Sequence, residues 1–320
     1  MGSAALLAAA FFSIAAAPVP PEGGVALDAS TVLIAGGVDP DHQPDGNSVV
    51  MRGPTGVVVV DTGRHPAQLA RIEAAIAATG QPLSVIVNSH WHLDHVSGNP
   101  ALRGAHPGVS VWASDAIDGA LAGFLKASAE QGQSALDKGD LPESMAADVR
   151  ADMATIAAGE RLRPDHVVRK SARVRLAGRS FDLHFAANAV TAGDIWLYDR
   201  AQARAIVGDL VTLPAPFLDT ACPQGWAAAL KAIDDSGFVT LVPGHGPVMD
   251  HPAFAAWRAA FTQFVDCSAD AAQPVKTCVA GWMAYARGVV GAAQQPLAGG
   301  LAGYYAGLVR SGALRRNCPA

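Results

Sequence analysis

The chain has 320 residues, half of them apolar and 16% charged, with a formal net charge of -5. Such a composition describes a globular chain able to bury a sizeable core. It argues against a nucleic-acid binder, because the 23 Lys and Arg residues form no long basic run, and leaves a small organic molecule as the expected partner.

The first residues, "MGSAALLAAAFFSIAAAP", are apolar from Ala4 to Ala17, and Ala15–Ala17 offers the small-residue pattern of a signal-peptidase site. Residues 1–17 therefore read as an export signal, giving a periplasmic or secreted protein. No Lys or Arg precedes the run, so a trimmed start of a cytoplasmic protein is the alternative. The run is short for a transmembrane helix, and no later segment is long enough for a membrane span.

From residue 30 to about 60, "TVLIAGG", "NSVVMRG" and "VVVVDTG" read as strands, being short β-branched runs punctuated by Gly and Pro. A helix follows from Pro66 to a terminator at Gly80, with Leu69, Ile72 and Ile76 on one face. "LSVIVNSH" then reads as a buried strand running into "HWHLDH". Residues 114–159 change character: Ala-rich periodic stretches interrupted by "DKGDLPES" predict a helical insertion that caps the fold. Strands resume with "HVVRK", "ARVRLAG", "SFDLHF", "DIWLYD" and "ARAIVGDLV". A helix over about 224–235 leads to "FVTLVPGHG", another strand that ends in a Gly-flanked histidine.

Residues 251–320 read as a helical C-terminal extension. Phe254, Trp257, Phe261, Phe264 and Val265 recur at helical spacing, as do Val275, Val279, Trp282, Met283 and Ala286, and these residues are read as core packing. Cys222, Cys267, Cys278 and Cys318 all lie in the last third, without C-x-x-C spacing. Their even number allows two disulfides. Cys267 and Cys278 flank a short loop between two expected helices, where a bridge would pin the hairpin in an oxidising compartment; four buried thiols are the alternative.

The chemistry concentrates in "NSHWHLDHVSG". Imidazole and carboxylate are good zinc ligands, and a loop leaving a strand can aim alternate side chains at one point. His90 and His92, two apart, project to one side of an extended backbone, while Asp94 and His95 fall past a bend and address a second point. One loop could thus serve two metals.

This H-x-H-x-D-H spacing, with "VVVVDTG" (57–63), "IVGDLV" (206–211) and "LVPGHG" (241–246) in the same order, resembles the metallo-β-lactamase superfamily over residues 30–250. The resemblance implies an α/β chain folded as a four-layer αββα sandwich. It implies one or two Zn2+ ions per chain, with other divalent metals as alternatives. His90 and His92 would hold a first metal, Asp94, His95 and His245 a second, and Asp209 would bridge them; Asp94 and Asp209 also count as catalytic. Asp61 would orient the histidine loop through hydrogen bonds.

One ligand is missing from the pattern. The family places a further histidine in a block resembling H-T-x-G-D, and here the block is "VTAGD", with Val190 in the histidine position. An isopropyl group has no lone pair to donate. His184 and Asn188 are the nearby polar residues, each read more simply as a solvent-facing histidine and a loop amide. The wording "NAVTAGDIWLYD" and "DTACPQGW", with the cysteine-bearing tail, resembles the quinoprotein relay system zinc metallohydrolases. That branch implies export and periplasmic quinoprotein or cytochrome partners, and makes Val190 a branch feature.

The function expected from these residues is metal-dependent hydrolysis of a small ester, thioester, lactone or amide. A β-lactamase is one alternative. A metal-binding accessory protein of the same fold, with little or no turnover, is the other.

Overall fold

The computed structural model describes residues 23–39 and 41–318. Residues 1–17, read as an export signal, lie outside the described residues. The chain opens with an antiparallel meander, β1 (Gly24–Asp28), β2 (Thr31–Ile34), β3 (Ser48–Gly53) and β4 (Gly56–Val60). Helix α1 (Pro66–Ala78) carries the chain over to β5 (Leu83–Val87), which pairs parallel to β4. After the histidine loop come α2 (Leu93–Val96), α3 (Asn99–Ala105) and β6 (Ser110–Ala113). The insertion follows as α4 (Ala116–Ala122), α5 (Phe124–Lys138) and α6 (Glu143–Ala157), before β7 (His166–Val167) closes a seven-stranded sheet in the order β1 to β7. The second half supplies β8 (Ala172–Leu176), β9 (Arg179–Ala187), β10 (Gly193–Asp199) and β11 (Arg204–Ile206), then α7 (Pro223–Asp235) and β12 (Thr240–Val242). These strands make a five-stranded sheet in the order β12-β11-β10-β9-β8. Helices α8 (His251–Ala269), α9 (Val275–Ala286) and α10 (Gln295–Ser311) complete the chain.

Two-residue periodicity explains the layering. On β4, Val58 and Val60 face the second sheet and pack with Phe181, Leu183, Ile195, Leu197, Ile206 and Val242. Their neighbours Val57 and Val59 face the opposite way, onto Ile72, Ala75 and Ile76 of α1. The outer face of the second sheet, with Trp196 and Tyr198, packs on α7, α8, α9 and α10. The layers are therefore helix, sheet, sheet, helix, an αββα sandwich.

The sequence reading omitted β1 and β6, both short, and carried the β11 strand too far. The chain leaves β11 at Ile206 and turns at once into a 3-10 segment, Gly208–Leu210. Gly208 has φ +53°, and a Cβ there would lie 2.5 Å from the Ser89 side chain. Both features break the strand where the site needs Asp209.

Three buried tryptophans fasten the helical layer to the segment after Asp209. Trp226 of α7 donates to the Leu210 carbonyl, Trp257 of α8 to Thr212 and Trp282 of α9 to Pro214, at 2.9, 3.0 and 3.0 Å. Two disulfides, Cys267–Cys278 and Cys222–Cys318, tie α8 to α9 and the tail to the loop before α7. No helix among the described residues is long and apolar enough to cross a membrane.

Candidate metal centre

The edge of the sandwich gathers side chains from four segments. His90, in the bend after β5, and His92, in extended backbone, follow the strand closely, and their ring centroids lie 4.4 Å apart. The single turn α2 then redirects Asp94 and His95. Asp209 comes from the 3-10 turn after β11, and His245 from the loop after β12. Two donor groups result: His90, His92 and Asp209 in one, Asp94, His95 and His245 in the other, the donor atoms within each lying within 4.8 Å of one another. Asp209 faces both. Its Oδ2 is 3.7 Å from His90 Nε2, and its Oδ1 is 3.2 Å from His95 Nε2 and 3.5 Å from His245 Nε2.

The rings are aimed by partners on their far sides, so their tautomers follow from the hydrogen-bond network. Ser89 Oγ donates to Asp61 Oδ2 and must accept from His90 Nδ1, at 2.7 and 2.9 Å; His90 is left with its Nε2 lone pair facing the site. His95 Nδ1 donates to the same Asp61 oxygen at 2.8 Å, which frees Nε2 in the same way. Thr220 Oγ1 donates to the Val190 carbonyl at 2.8 Å and so accepts from His92 Nε2 at 3.1 Å, leaving Nδ1.

Asp61 itself sits at φ +59°, a left-handed conformation that Asp tolerates better than most residues. Its carboxylate also takes the Ser89 N–H at 2.7 Å. Behind it, Asn88 and Asn99 exchange amide hydrogen bonds, and the His95 carbonyl accepts from Thr62 and Asn88. Asn47 holds the His245 loop by donating to the Pro243 and Gly246 carbonyls, both at 2.9 Å. Gly244 approaches so closely that a Cβ would stand 2.0 Å from Asp209 Oδ1.

The electrostatics suit a cation. Burial opposes ionisation of Asp94, but the His95 and His245 rings and Arg64 outweigh it and hold the carboxyl well below its usual range. Asp209 is lowered in the same way, against burial, by His245 and His95. Burial also works against charge on His95 and His245, yet the neighbouring carboxylates raise both. At His90 and His92 burial outweighs the pull of the same carboxylates, driving His90 well below the usual histidine value and taking His92 to about 4. His90 Nε2, His95 Nε2 and Asp209 Oδ1 are buried atoms with no hydrogen-bond partner. Orphaned donors of this kind, converging from rings already oriented by outer partners, fit one or two divalent ions.

A sequence model of the metallo-beta-lactamase superfamily matches residues 43–272. The chain belongs to the metallo-beta-lactamase superfamily. Solved superfamily structures share the fold at low sequence identity. A metallo-beta-lactamase from Pontibacter korlensis aligns at 18% identity and TM-score 0.55, over 75% of this chain and 98% of that one. One from Pseudomonas aeruginosa, crystallised in a mono-zinc form, aligns at 16% and 0.53, over 77% and 96%. One from Hirschia baltica aligns at 17% and 0.51, over 75% and 96%. No curated protein matches by sequence.

The superfamily chain departs from its pattern at Val190. That side chain is fully buried in the apolar core under the helical layer. His184 lies stacked on Trp196, ring centroids 3.8 Å apart, and Asn188 occupies a left-handed turn position at φ +53°. Neither belongs to a donor group. The residue that does reach His92 from this side is Thr220. Sequence reading missed Thr220, Ser89 and Asn47; the adjacency of Ser89 to His90 was the one signal that could have flagged any of them.

Proposed function

We propose that the protein is a metal-dependent hydrolase, with zinc as its ion, acting on a small ester, thioester, lactone or amide. The observation that carries this reading is the pair of adjacent three-residue donor groups, one of which includes an Asp209 that faces both, with buried, unpartnered nitrogen and oxygen atoms facing one another. His90, His92 and Asp209 would hold one ion and Asp94, His95 and His245 the other. A divalent ion in such a cage supplies water activation near neutral pH and polarisation of a carbonyl oxygen.

The chain's own residues do the rest. Asp61, Ser89 and Thr220 fix three imidazoles so that their free nitrogens converge. Asp94 and Asp209 remain ionised, two carboxylates placed to balance the charge of a bound cation. Trp91 and Leu93, packed with Ile117 and Leu125 of the insertion, exclude water from one flank, and Phe217 lies edge-on to His92 on another, centroids 5.0 Å apart.

We read the protein as exported to an oxidising compartment, which its two disulfides support. Periplasmic quinoproteins or cytochromes are its proposed partners. The zinc-loaded protein is to be assayed against ester, thioester, lactone and β-lactam panels. Turnover that chelation removes and zinc restores is the expected result, and turnover restricted to β-lactams would name a lactamase instead. Bound zinc without turnover on any panel would replace the hydrolase with a metal-binding accessory protein, the reading that buried Val190 favours.

A further inference from the structure

Outside the centre just described, a second gathering of metal-ligating side chains joins three separate parts of the chain. His42 comes from the loop between β2 and β3, His65 from the cap of α1, and Asp148 from α6 of the insertion. Their donor atoms all lie within 4.8 Å of one another. His42 Nδ1 is 3.1 Å from Asp148 Oδ2, and His65 Nε2 is 3.2 Å from Asp148 Oδ1. Ligands about 2.0–2.1 Å from a tetrahedral zinc stand about 3.3 Å apart, close to both spacings.

Two details point to a cation in this space. Asp45 Oδ2 accepts from His65 Nδ1 at 2.8 Å, a carboxylate–histidine pairing that leaves the Nε2 lone pair free and oriented. That Nε2 is buried and, despite its closeness to Asp148, has no partner of hydrogen-bond geometry. Asp45 is itself anchored by the Arg64 and His65 amides at 2.6 and 3.0 Å, and Asp148 by the Gln43 amide at 2.8 Å. His65 and Asp148 are thus held by outer contacts, as at the main centre, while His42 Nδ1 is hydrogen-bonded to Asp148 itself and a cation would replace that shared proton.

We propose that His42, His65 and Asp148 form an additional divalent-cation site that staples the helical insertion to the sandwich. Two imidazoles and a carboxylate suit zinc, and half-exposed His42 leaves the fourth position to solvent. The staple reinforces contacts that already join loop and insertion: Ser144 Oγ donates to the Asp41 carbonyl at 2.8 Å, and Arg64 pairs with Asp152 at 2.5 Å. Arg64 also reaches to 3.9 Å from Asp94, so the insertion held here borders the main centre.

The test counts metal. Full-length protein and its His42→Ala and Asp148→Asn variants are saturated with zinc, desalted and analysed by mass spectrometry. Each variant is expected to hold one equivalent per chain fewer than the wild type, with an unchanged circular dichroism spectrum. Asp45→Asn, which keeps an acceptor but loses the charge, is expected to weaken that equivalent about ten- to a hundredfold in a chelator competition. Zinc is also expected to protect the linker at 139–142 from protease in the wild type and not in His42→Ala, whose exposed position spares the fold. Equal zinc counts in all proteins would overturn the proposal and leave His65 as an imidazolium between Asp45 and Asp148. Should the main centre bind nothing, the wild type would still hold one equivalent and His42→Ala none, so the two readings fail separately.

Discussion

Thr220 Oγ1 accepts a hydrogen bond from His92 Nε2 at 3.1 Å while donating its own proton to the carbonyl of Val190. The residue standing in the usual histidine position thus contributes through its backbone, and Thr220 relays that contact to the His92 ring. Thr220→Val removes the acceptor at nearly constant volume. Affinity at the His90, His92, Asp209 group is expected to fall about ten- to a hundredfold, with the Asp94, His95, His245 group little changed and Thr220→Ser restoring the loss. A zinc competition titration resolving the two equivalents checks this; uniform weakening of both would show that Thr220 merely supports the fold.

Gly244 is required for space, since its Cβ would meet Asp209 Oδ1 at 2.0 Å and the Gly208 carbonyl carbon at 2.6 Å. Gly244→Ala must push away the one carboxylate that faces both donor groups. Zinc binding is expected to weaken at both, with a stability loss of about 1–3 kcal/mol from overpacking. Gly108→Ala, where nothing lies within 4 Å, is the control and leaves both quantities unchanged. Calorimetric zinc titration and urea melts of the two variants decide it.

Trp257 couples the helical layer to the segment that carries Asp209. Trp257→Phe keeps most of the ring but leaves the buried Thr212 carbonyl without its indole donor. A loss of about 1–3 kcal/mol is expected for that orphaned acceptor. Denaturant midpoints measure it, and a variant as stable as the wild type would mean that the carbonyl finds another partner.

The elements were legible because β4 and β5 are short β-branched runs and the aromatics of α8 and α9 recur at helical spacing, while their layering came from the family resemblance. The residues that converge at the sandwich edge were also in view, His90, His92, Asp94 and His95 because they share one loop, Asp209 and His245 through the glycine-bearing blocks that carry the resemblance. What escaped the sequence depends on contacts between distant segments. Asn47 grips the His245 loop across 196 and 199 residues and Thr220 meets His92 across 128, separations no local pattern encodes. The His42, His65, Asp148 cluster was hidden for the same reason, its members lying in three elements that meet only when the insertion folds back.

Asp28 and Arg204 link the first strand of one sheet to β11 of the other, Oδ2 to Nη1 at 2.6 Å. Burial works to raise the Asp28 carboxyl, but hydrogen bonds from Arg204 and Ser30 prevail and bring it from 3.8 to about 2. A carboxyl with a lowered folded-state pKa adds stability that is present above its unfolded value and lost as pH falls through the folded one. Denaturant stability is therefore expected to decline between about pH 4 and about pH 2, with Asp28→Asn removing part of that slope. Identical slopes in the two proteins would assign the acid sensitivity elsewhere.

The Cys222–Cys318 bridge spans 96 residues of sequence, against 11 for Cys267–Cys278. Chain entropy makes the longer closure the more stabilising, by about 4.7 kcal/mol for a loop near 100 residues against about 3 for a loop near 15. The longer bridge also lies beside the relay to the centre. Cys222 is two residues from Thr220, and Asn317 donates to the Asp219 and Ala221 carbonyls while Tyr304 donates to the Asp219 carboxylate. Replacing Cys222 and Cys318 together by Ala is expected to cost more stability than replacing Cys267 and Cys278, and alone to weaken zinc at the His92 group. Melting curves and zinc titrations of the two double variants separate these effects. If the Cys267–Cys278 pair proved the costlier loss, or zinc affinity stayed level in both, the tail would be a passenger on the fold and not a brace for Thr220.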